Sequence, residues 1–144
     1  MRNTTVIVKN PFKVNPTDPD QVTVDLAVPA QYIDGQIYVP IRSIIDAANN
    51  LYGFGTVFKW FPIQQELNFD YGVNYDFQTG KDTYTWYTQT SKLPGEIRIY
   101  HGELMVPVYD TTQPQYRYVG WSSTWDAQNR VLTLNIGYPE TPMA

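Results

Sequence analysis

Apolar and polar residues alternate along most of this chain, which is the pattern of half-buried β-strands. The stretch "VTVDLAV" at residues 22–28 places four apolar side chains on one face of a predicted strand. The Asp34-Gly35 dipeptide predicts a tight hairpin turn, because both residues accept positive φ angles. The alternation resumes in later segments, which predict further strands and hairpins: 56–61, 66–72, 73–90, 97–110 and 130–137.

A helical period interrupts this pattern once. In "IRSIIDAANN", residues 41–50, the apolar side chains of Ile41, Ile44, Ile45 and Ala48 follow the i, i+3, i+4, i+7 spacing of one helix stripe. Proline is favoured where a helix begins, and glycine where it ends, so Pro40 and Gly53 bracket the predicted helix. The sequence therefore predicts a mostly β protein of the α+β class with one short helix.

The amino-terminal part of the chain differs in composition from the rest. Residues 9–21 contain three prolines and little apolar surface. We therefore expect an extended arm over 1–21, a single β-rich domain over 22–138 and a short tail over 139–144. The arm is either an ordinary loose terminus or an element that embraces a neighbouring subunit.

Two parts of the domain resemble each other. "GQIYVPIRS" at 35–43 corresponds to "GELMVPVYD" at 102–110, and 54–72 corresponds to 119–137. This order predicts an internal duplication with half-repeats of about 32–72 and 99–137. We expect the repeated positions to serve the architecture, with both tryptophans in the core: Gly35, Val39, Pro40 and Trp60 in the first half, and Gly102, Val106, Pro107 and Trp125 in the second.

"GQIYVPIRSIIDAA" with "GTVFKW", and "GELMVPV" with "GWSSTWDAQNRVLTLNIG", resemble the copper amine oxidase N-terminal-like, or stalk-like, domain family. The resemblance covers 32–72 and 99–137. It implies a twisted antiparallel sheet packed around a helix, with no copper and no known catalysis, mostly in exported or surface proteins of Gram-positive bacteria. The chain departs from the family pattern in two ways. Pro114 opposes a helix in the second half-repeat, and the amino terminus does not predict a signal peptide.

The residues needed for catalysis are not predicted to assemble. Asn74-Tyr75-Asp76 resembles the context in which the catalytic domain of copper amine oxidases makes its quinone, but that chemistry needs several histidines for copper. This chain has one, His101, in a predicted turn. Without cysteine, thiolate catalysis and thiolate metal sites are excluded. We therefore predict no enzyme activity, no catalytic residue, no metal-binding residue and no cofactor.

Charge and hydropathy limit the partners that we expect. The formal net charge is −4 and no block of Lys or Arg occurs, so nucleic acid is not predicted as a partner. No apolar run of about 18 residues is present, so membrane insertion is not predicted either. The location stays open between the cell surface or exterior, if the chain is part of a longer exported protein, and a virion.

Aromatic residues, at 15% of the chain, supply the candidate binding surface. Tyr, Trp and Arg are favoured at protein interfaces, and flat aromatic rings also stack on sugars. The predicted surface consists of Tyr84, Trp86, Tyr116, Arg117, Tyr118 and Trp121.

The leading hypothesis is a non-catalytic structural module that assembles with itself or with a larger surface or virion structure, such as a stalk domain or a phage decoration or tail protein. The alternative is a carbohydrate-binding module for cell-wall or other polysaccharide.

Overall fold

The computed structural model describes residues 3–12, 16–17 and 20–139, and these residues form three β-sheets and one helix. The helix, α1, spans Ile41–Tyr52. The strands in chain order are β1 (Thr5–Lys9), β2 (Gln21–Thr23), β3 (Gln31–Ile33), β4 (Gln36–Pro40), β5 (Phe58–Phe61), β6 (Glu66–Tyr71), β7 (Val73–Gln78), β8 (Thr83–Trp86), β9 (Gln89–Lys92), β10 (Arg98–Tyr100), β11 (Glu103–Asp110), β12 (Ser122–Asp126) and β13 (Val131–Asn135).

The hairpins expected from the sequence are divided among separate sheets. The strand orders are β12-β13-β1-β2, β10-β11-β4-β3 and β5-β6-β7-β8-β9. Neighbouring strands are antiparallel except β1 and β13, which are parallel. The predicted mostly β, α+β class with one helix is confirmed. The pattern predicted one sheet where the described residues form three, because alternation within a strand does not specify its neighbours.

The predicted amino-terminal arm contains a core strand. β1 lies between β13 and β2, and the side chains of Val6 and Val8 are fully buried. The prediction of an extended arm over 1–21 is therefore corrected at residues 5–9, where "TVIVK" carries a short strand alternation. Residues 1–2, 13–15 and 18–19 of that arm, and residues 140–144 of the predicted tail, lie outside the described part of the chain.

The strand predicted at residues 22–28 is shorter than expected. β2 ends at Thr23, and the last bond to β1 is donated by the Val24 amide to the Val6 carbonyl oxygen, 2.8 Å away. Val24 and Val28 are nevertheless buried. The alternation therefore identified the buried face correctly, although backbone pairing stops early.

The second sheet brings the two Val-Pro motifs together. Val39 of β4 pairs with Val106 of β11, and both side chains are fully buried. The flanking β3–β4 and β10–β11 hairpins correspond to each other in the predicted half-repeats, and each turns at a left-handed residue followed by glycine: Asp34 (φ 53°) with Gly35 (φ 80°), and His101 (φ 48°) with Gly102 (φ 80°). Related segments thus lie side by side, while the duplication itself stays a prediction.

The tryptophans of the half-repeats occupy corresponding places but differ in burial. Trp60 pairs with Leu67 across β5 and β6, and Trp125 pairs with Leu132 across β12 and β13. The core position expected for Trp60 is wrong, because β5 is an edge strand and 44% of this residue is exposed. Trp125 is half-buried, with the Arg130 guanidinium 5.7 Å from its ring centroid.

Helix α1 covers the core as its apolar stripe predicts. Ile41, Ile44 and Ala48 are fully buried, and Gly53 ends the helix in a left-handed conformation with its amide bonded to the Asn49 carbonyl oxygen. The Ser43 hydroxyl accepts a 3.0 Å hydrogen bond from the Ala27 amide, which ties the helix to the segment after β2. Within the described residues, no helix has the length and apolar character needed to cross a membrane.

The third sheet presents a row of stacked rings on its inner face. Phe69 and Phe77 lie 5.9 Å apart, and Phe77 and Tyr84 lie 5.2 Å apart, with ring planes within 10° of parallel. These residues belong to the main hydrophobic core together with Val6, Leu132 and the helix stripe. The stacked rings therefore pack β7 and β8 firmly against the core.

Candidate interaction groove

A groove of about 440 Å³ lies where the loop between β11 and β12 passes over β8 and β9. We call it the aromatic groove. Half of its ten lining residues are aromatic: Tyr75, Tyr84, Trp86, Tyr116 and Tyr118. The other lining residues are Ser91, Lys92, Arg117, Val119 and Gly120. The groove therefore combines large ring surfaces with two cationic side chains.

One serine ties the sheet side of the groove together. Ser91 pairs with Tyr84 across β8 and β9, and its Oγ accepts a 2.9 Å hydrogen bond from Trp86 Nε1. The Tyr84 hydroxyl also interacts with Ser91 and with the Val119 backbone, which lowers the Tyr84 pKa, although burial outweighs this effect and raises it. Both rings are thus held in place before any ligand arrives, which reduces the entropy cost of binding.

Tyr75 continues the ring surface toward β7. Its ring lies 6.5 Å from that of Tyr84 at 17° between planes, and it pairs with Trp86 across the strands. Burial raises the pKa of Tyr75 to about 12, with a smaller contribution from Tyr84. The Tyr75 hydroxyl is therefore neutral at physiological pH and acts as a hydrogen-bonding group rather than a base.

The opposite wall is a loop that is anchored on both sides. The Asp110 carboxylate accepts hydrogen bonds from the amide and hydroxyl of Thr112, at 2.9 and 2.7 Å. Beyond the exposed tip, Tyr118 forms a β-bridge with Trp121, and the buried Val119 adopts φ 59°. A β-branched residue rarely adopts this conformation, and such outliers cluster where a protein must hold a ligand-binding shape. The wall is therefore a fixed feature of the fold.

The charges at the groove are of one sign. Lys92 and Arg117 line it, and none of its lining residues is acidic. Lys92 Nζ lies 3.3 Å from an Asp82 carboxylate oxygen, but both side chains are mostly exposed to water, so this pair is weak. Among the described residues, none forms an ion pair or hydrogen bond with the exposed Arg117 side chain. Within the described residues, Arg117 therefore has no partner that an external group would have to displace.

The structure brings together most of the surface predicted from the sequence. Tyr84, Trp86, Tyr116, Arg117 and Tyr118 all line the aromatic groove, although they come from segments about 30 residues apart. Tyr116 is 54% exposed and Tyr118 is half-buried. Tyr84 is 6% exposed and therefore contributes little accessible surface to the groove. Trp121 does not line the groove and is 7% exposed, so its assignment to the surface is corrected.

Sequence reasoning missed the residues that complete the groove. Tyr75 was assigned to a strand face, Gly120 only to a position of the repeat, and Ser91, Lys92 and Val119 were not singled out. The available signal was the hairpin of β8 and β9: a turn at Tyr87 and Thr88 places Ser91 opposite Tyr84 and Lys92 opposite Thr83. The sequence alone could not show that the loop at 116–120 passes over this hairpin.

The candidate catalytic elements are placed as ordinary structural residues. His101 occupies its predicted turn, with its ring 4.2 Å from that of Tyr100. Asn74, Tyr75 and Asp76 lie on β7, where Asn74 and Asp76 both bond to Asn68 Nδ2 at 2.6 and 2.7 Å. In the described part of the chain, no three His, Asp or Glu residues are grouped so as to hold a metal ion. These residues therefore support strand and turn structure.

A scan against known protein families matches residues 18–134 to the family described as Copper amine oxidase N-terminal domain. Searches of curated proteins and of solved structures found no match. The matched range includes the first predicted half-repeat, the second up to residue 134, and every lining residue of the aromatic groove. In copper amine oxidases this domain is non-catalytic, so the family is that of a structural module. This chain belongs to the copper amine oxidase N-terminal domain family.

Proposed function

We propose that this chain is an interaction module that assembles with itself or with a larger surface or virion structure through the aromatic groove. The observation that carries the proposal is the gathering of Tyr116, Arg117 and Tyr118 opposite Trp86 on one open surface. Aromatic residues and Arg contribute most of the binding free energy at many interfaces. The anchored loop and the Ser91 hydrogen bond supply the rigidity that such a surface needs.

The proposal is tested with the double variant Tyr116→Ala/Arg117→Ala and the matched control Tyr32→Ala. Tyr116 and Tyr32 are about equally exposed, at 54% and 51%, but Tyr32 does not line the groove. Light scattering should give a defined oligomer for the wild type and the Tyr32 variant, and a mass near the 16.6 kDa monomer for the double variant. An oligomer unaffected by the double variant would contradict assembly through the groove.

A second candidate function is carbohydrate binding, which the concave shape of the same groove favours. Trp86, Tyr116 and Tyr118 leave parts of their rings exposed around it. A sugar can stack its apolar face on such rings while its hydroxyl groups bond to polar neighbours. Co-sedimentation with insoluble polysaccharide distinguishes the two functions: Tyr116→Ala should abolish glycan retention for a carbohydrate-binding module, and should abolish assembly for a protein-binding one.

A further inference from the structure

We propose that the aromatic groove takes a carboxylated saccharide, that is, a sugar ring carrying an anionic carboxylate group. This inference rests on the second candidate function, carbohydrate binding, because it names the chemistry of the saccharide that the groove would hold. It is carried by two independent features of the groove, its ring surfaces and its positive charge. The ring surfaces would hold the sugar ring, and the positive charge would hold the carboxylate.

The positive charge stands out against the rest of the chain. The formal net charge is −4, yet the groove contains Lys92 and Arg117 and no lining carboxylate. Two acidic residues close in sequence or contact to the lining already have partners: Asp82 pairs with Lys92, and Asp110 accepts both hydrogen bonds of Thr112. An anion entering the groove therefore meets the Arg117 guanidinium, which binds carboxylates well and has no competing partner among the described residues, and the Lys92 ammonium, whose exposed pair with Asp82 is weak.

The rings select the shape of the ligand. Tyr116 and Tyr118 on the loop face Trp86 and Tyr75 on the sheet, across a groove of about 440 Å³. Ligand pockets of roughly this size hold small molecules on apolar walls and orient them with a few polar groups. A sugar ring fits this pattern, because its C–H face covers an aromatic ring while its hydroxyl groups remain hydrogen-bonded.

A nucleic acid would also offer rings and negative charge, but the charge balance disfavours it. Single strands are held by a positive groove that follows the backbone over several phosphates. Here two cations lie in a chain of net negative charge, so a long polyanion would be repelled outside the groove. A short carboxylated saccharide needs only the two cations that are present.

The experiment compares two forms of one ligand by isothermal titration calorimetry. The probe is trigalacturonate, and its methyl-esterified form keeps the rings while removing the charge. The wild type should bind the acid about tenfold or more tightly than the ester, because a charge-assisted hydrogen bond is lost in the ester. Added salt should weaken binding of the acid and leave binding of the ester nearly unchanged.

Variants of the protein then test the positive charge and the aromatic rings of the groove separately. Arg117→Gln should lower affinity for the acid by about tenfold or more and leave affinity for the ester unchanged. Tyr116→Ala should lower affinity for both forms, because stacking does not depend on charge. Lys59→Gln is the matched control, since Lys59 is an exposed cation on β5 that does not line the groove, and it should bind both forms like the wild type.

The possible results separate this inference from the proposed function. Equal affinity for acid and ester, or an Arg117→Gln variant with wild-type affinity for the acid, would overturn the carboxylated saccharide while leaving the groove as a binding surface. Binding of a single-stranded oligonucleotide but not of trigalacturonate would overturn the carboxylated saccharide as well.

Failure to bind either saccharide, together with an oligomer that dissociates in Tyr116→Ala/Arg117→Ala, would overturn the saccharide and support assembly. No saccharide binding and no effect on assembly would overturn both.

Discussion

Gly95, in the loop before β10, lies very close to side chains of β4. A Cβ atom at this position would overlap Gln36 Oε1 and lie 2.7 Å from the Tyr38 hydroxyl. Gln36 Nε2 donates a 2.8 Å hydrogen bond to the Pro94 carbonyl oxygen, which holds the loop against β4. A side chain at position 95 would therefore have to displace the ends of the Gln36 and Tyr38 side chains, whereas the backbone angles of Gly95 do not demand glycine.

We expect Gly95→Ala to lower the free energy of unfolding by about 1–3 kcal/mol, because the added methyl group displaces the Gln36 side chain and breaks its bond to Pro94. Gly55→Ala is the control, since no atom lies within 4 Å of its Cβ position. Its effect should stay within about 1 kcal/mol and could be stabilising. Urea denaturation of both variants provides the measurement, and equal effects would contradict the close-contact argument.

The exposure of individual residues at the site could be predicted from the sequence in some cases and not in others. Tyr116, Arg117 and Tyr118 were predicted as surface residues from their loop-like context, and the structure places all three on the groove. The same reasoning failed for Trp121 and Trp60, whose burial is the reverse of that expected. Residue type does not predict exposure for tryptophan, because a large ring is compatible with both a core and an edge position.

Among the elements, β1 contributes more than its short length suggests. It supplies the centre of the first sheet, pairing with β13 on one side and β2 on the other. Its two buried valines lie in the same core cluster as Leu132 and Leu134 of β13. The segment assigned to an arm is thus a structural link between the two ends of the chain.

We expect Val8→Ala to reduce the free energy of unfolding by about 2 kcal/mol, since it removes buried methyl groups and leaves a small cavity. Thr5→Ala, at an exposed position of the same strand, should change stability by less than about 0.5 kcal/mol. Thermal and urea unfolding of the two variants would test this. If Val8→Ala were as mild as Thr5→Ala, β1 would not be part of the cooperative core.

The hairpins and the helix were the elements that the sequence predicted best. Asp34-Gly35 and the Ile41 to Ala48 stripe are local signals, in which a few neighbouring residues specify their own conformation. The parallel pairing of β1 with β13 depends on segments more than 120 residues apart. No local pattern encodes such a pairing, so it could not be inferred from a single sequence.

Buried tyrosines make the free energy of unfolding of the whole protein depend on pH in the alkaline range. Burial raises the pKa of Tyr71, Tyr75 and Tyr84 above the ordinary value near 10, and that of Tyr75 reaches about 12. Between these two pH values the unfolded chain has released tyrosyl protons that the folded chain still holds. The free energy of unfolding is therefore fully maintained below about pH 10 and falls as the pH rises toward 12.

We expect Tyr75 alone to account for a loss of about 1.4 kcal/mol at pH 11, one pH unit above its unfolded pKa. Tyr75→Phe keeps the stacked ring and removes the ionisable hydroxyl, so this variant should lose less stability than the wild type between pH 8 and pH 11. Urea denaturation at the two pH values measures the difference. Identical losses in both proteins would show that Tyr75 does not titrate as its burial requires.

The amino-acid sequence sufficed to predict the mostly β class, the single helix, the family and most of the aromatic residues at the groove. The class and the helix follow from short-range periodicity, and the groove residues follow from residue type and loop context, all of which act between neighbours in the chain. The family was inferred from the resemblance of the two Val-Pro segments to known domains. Tertiary structure alone decided that β1 joins β13, that Trp121 is buried while Trp60 is exposed, and that residues 116–120 meet Tyr75, Ser91 and Lys92. These outcomes depend on packing all segments into one core at once, where the burial of distant residues is settled together.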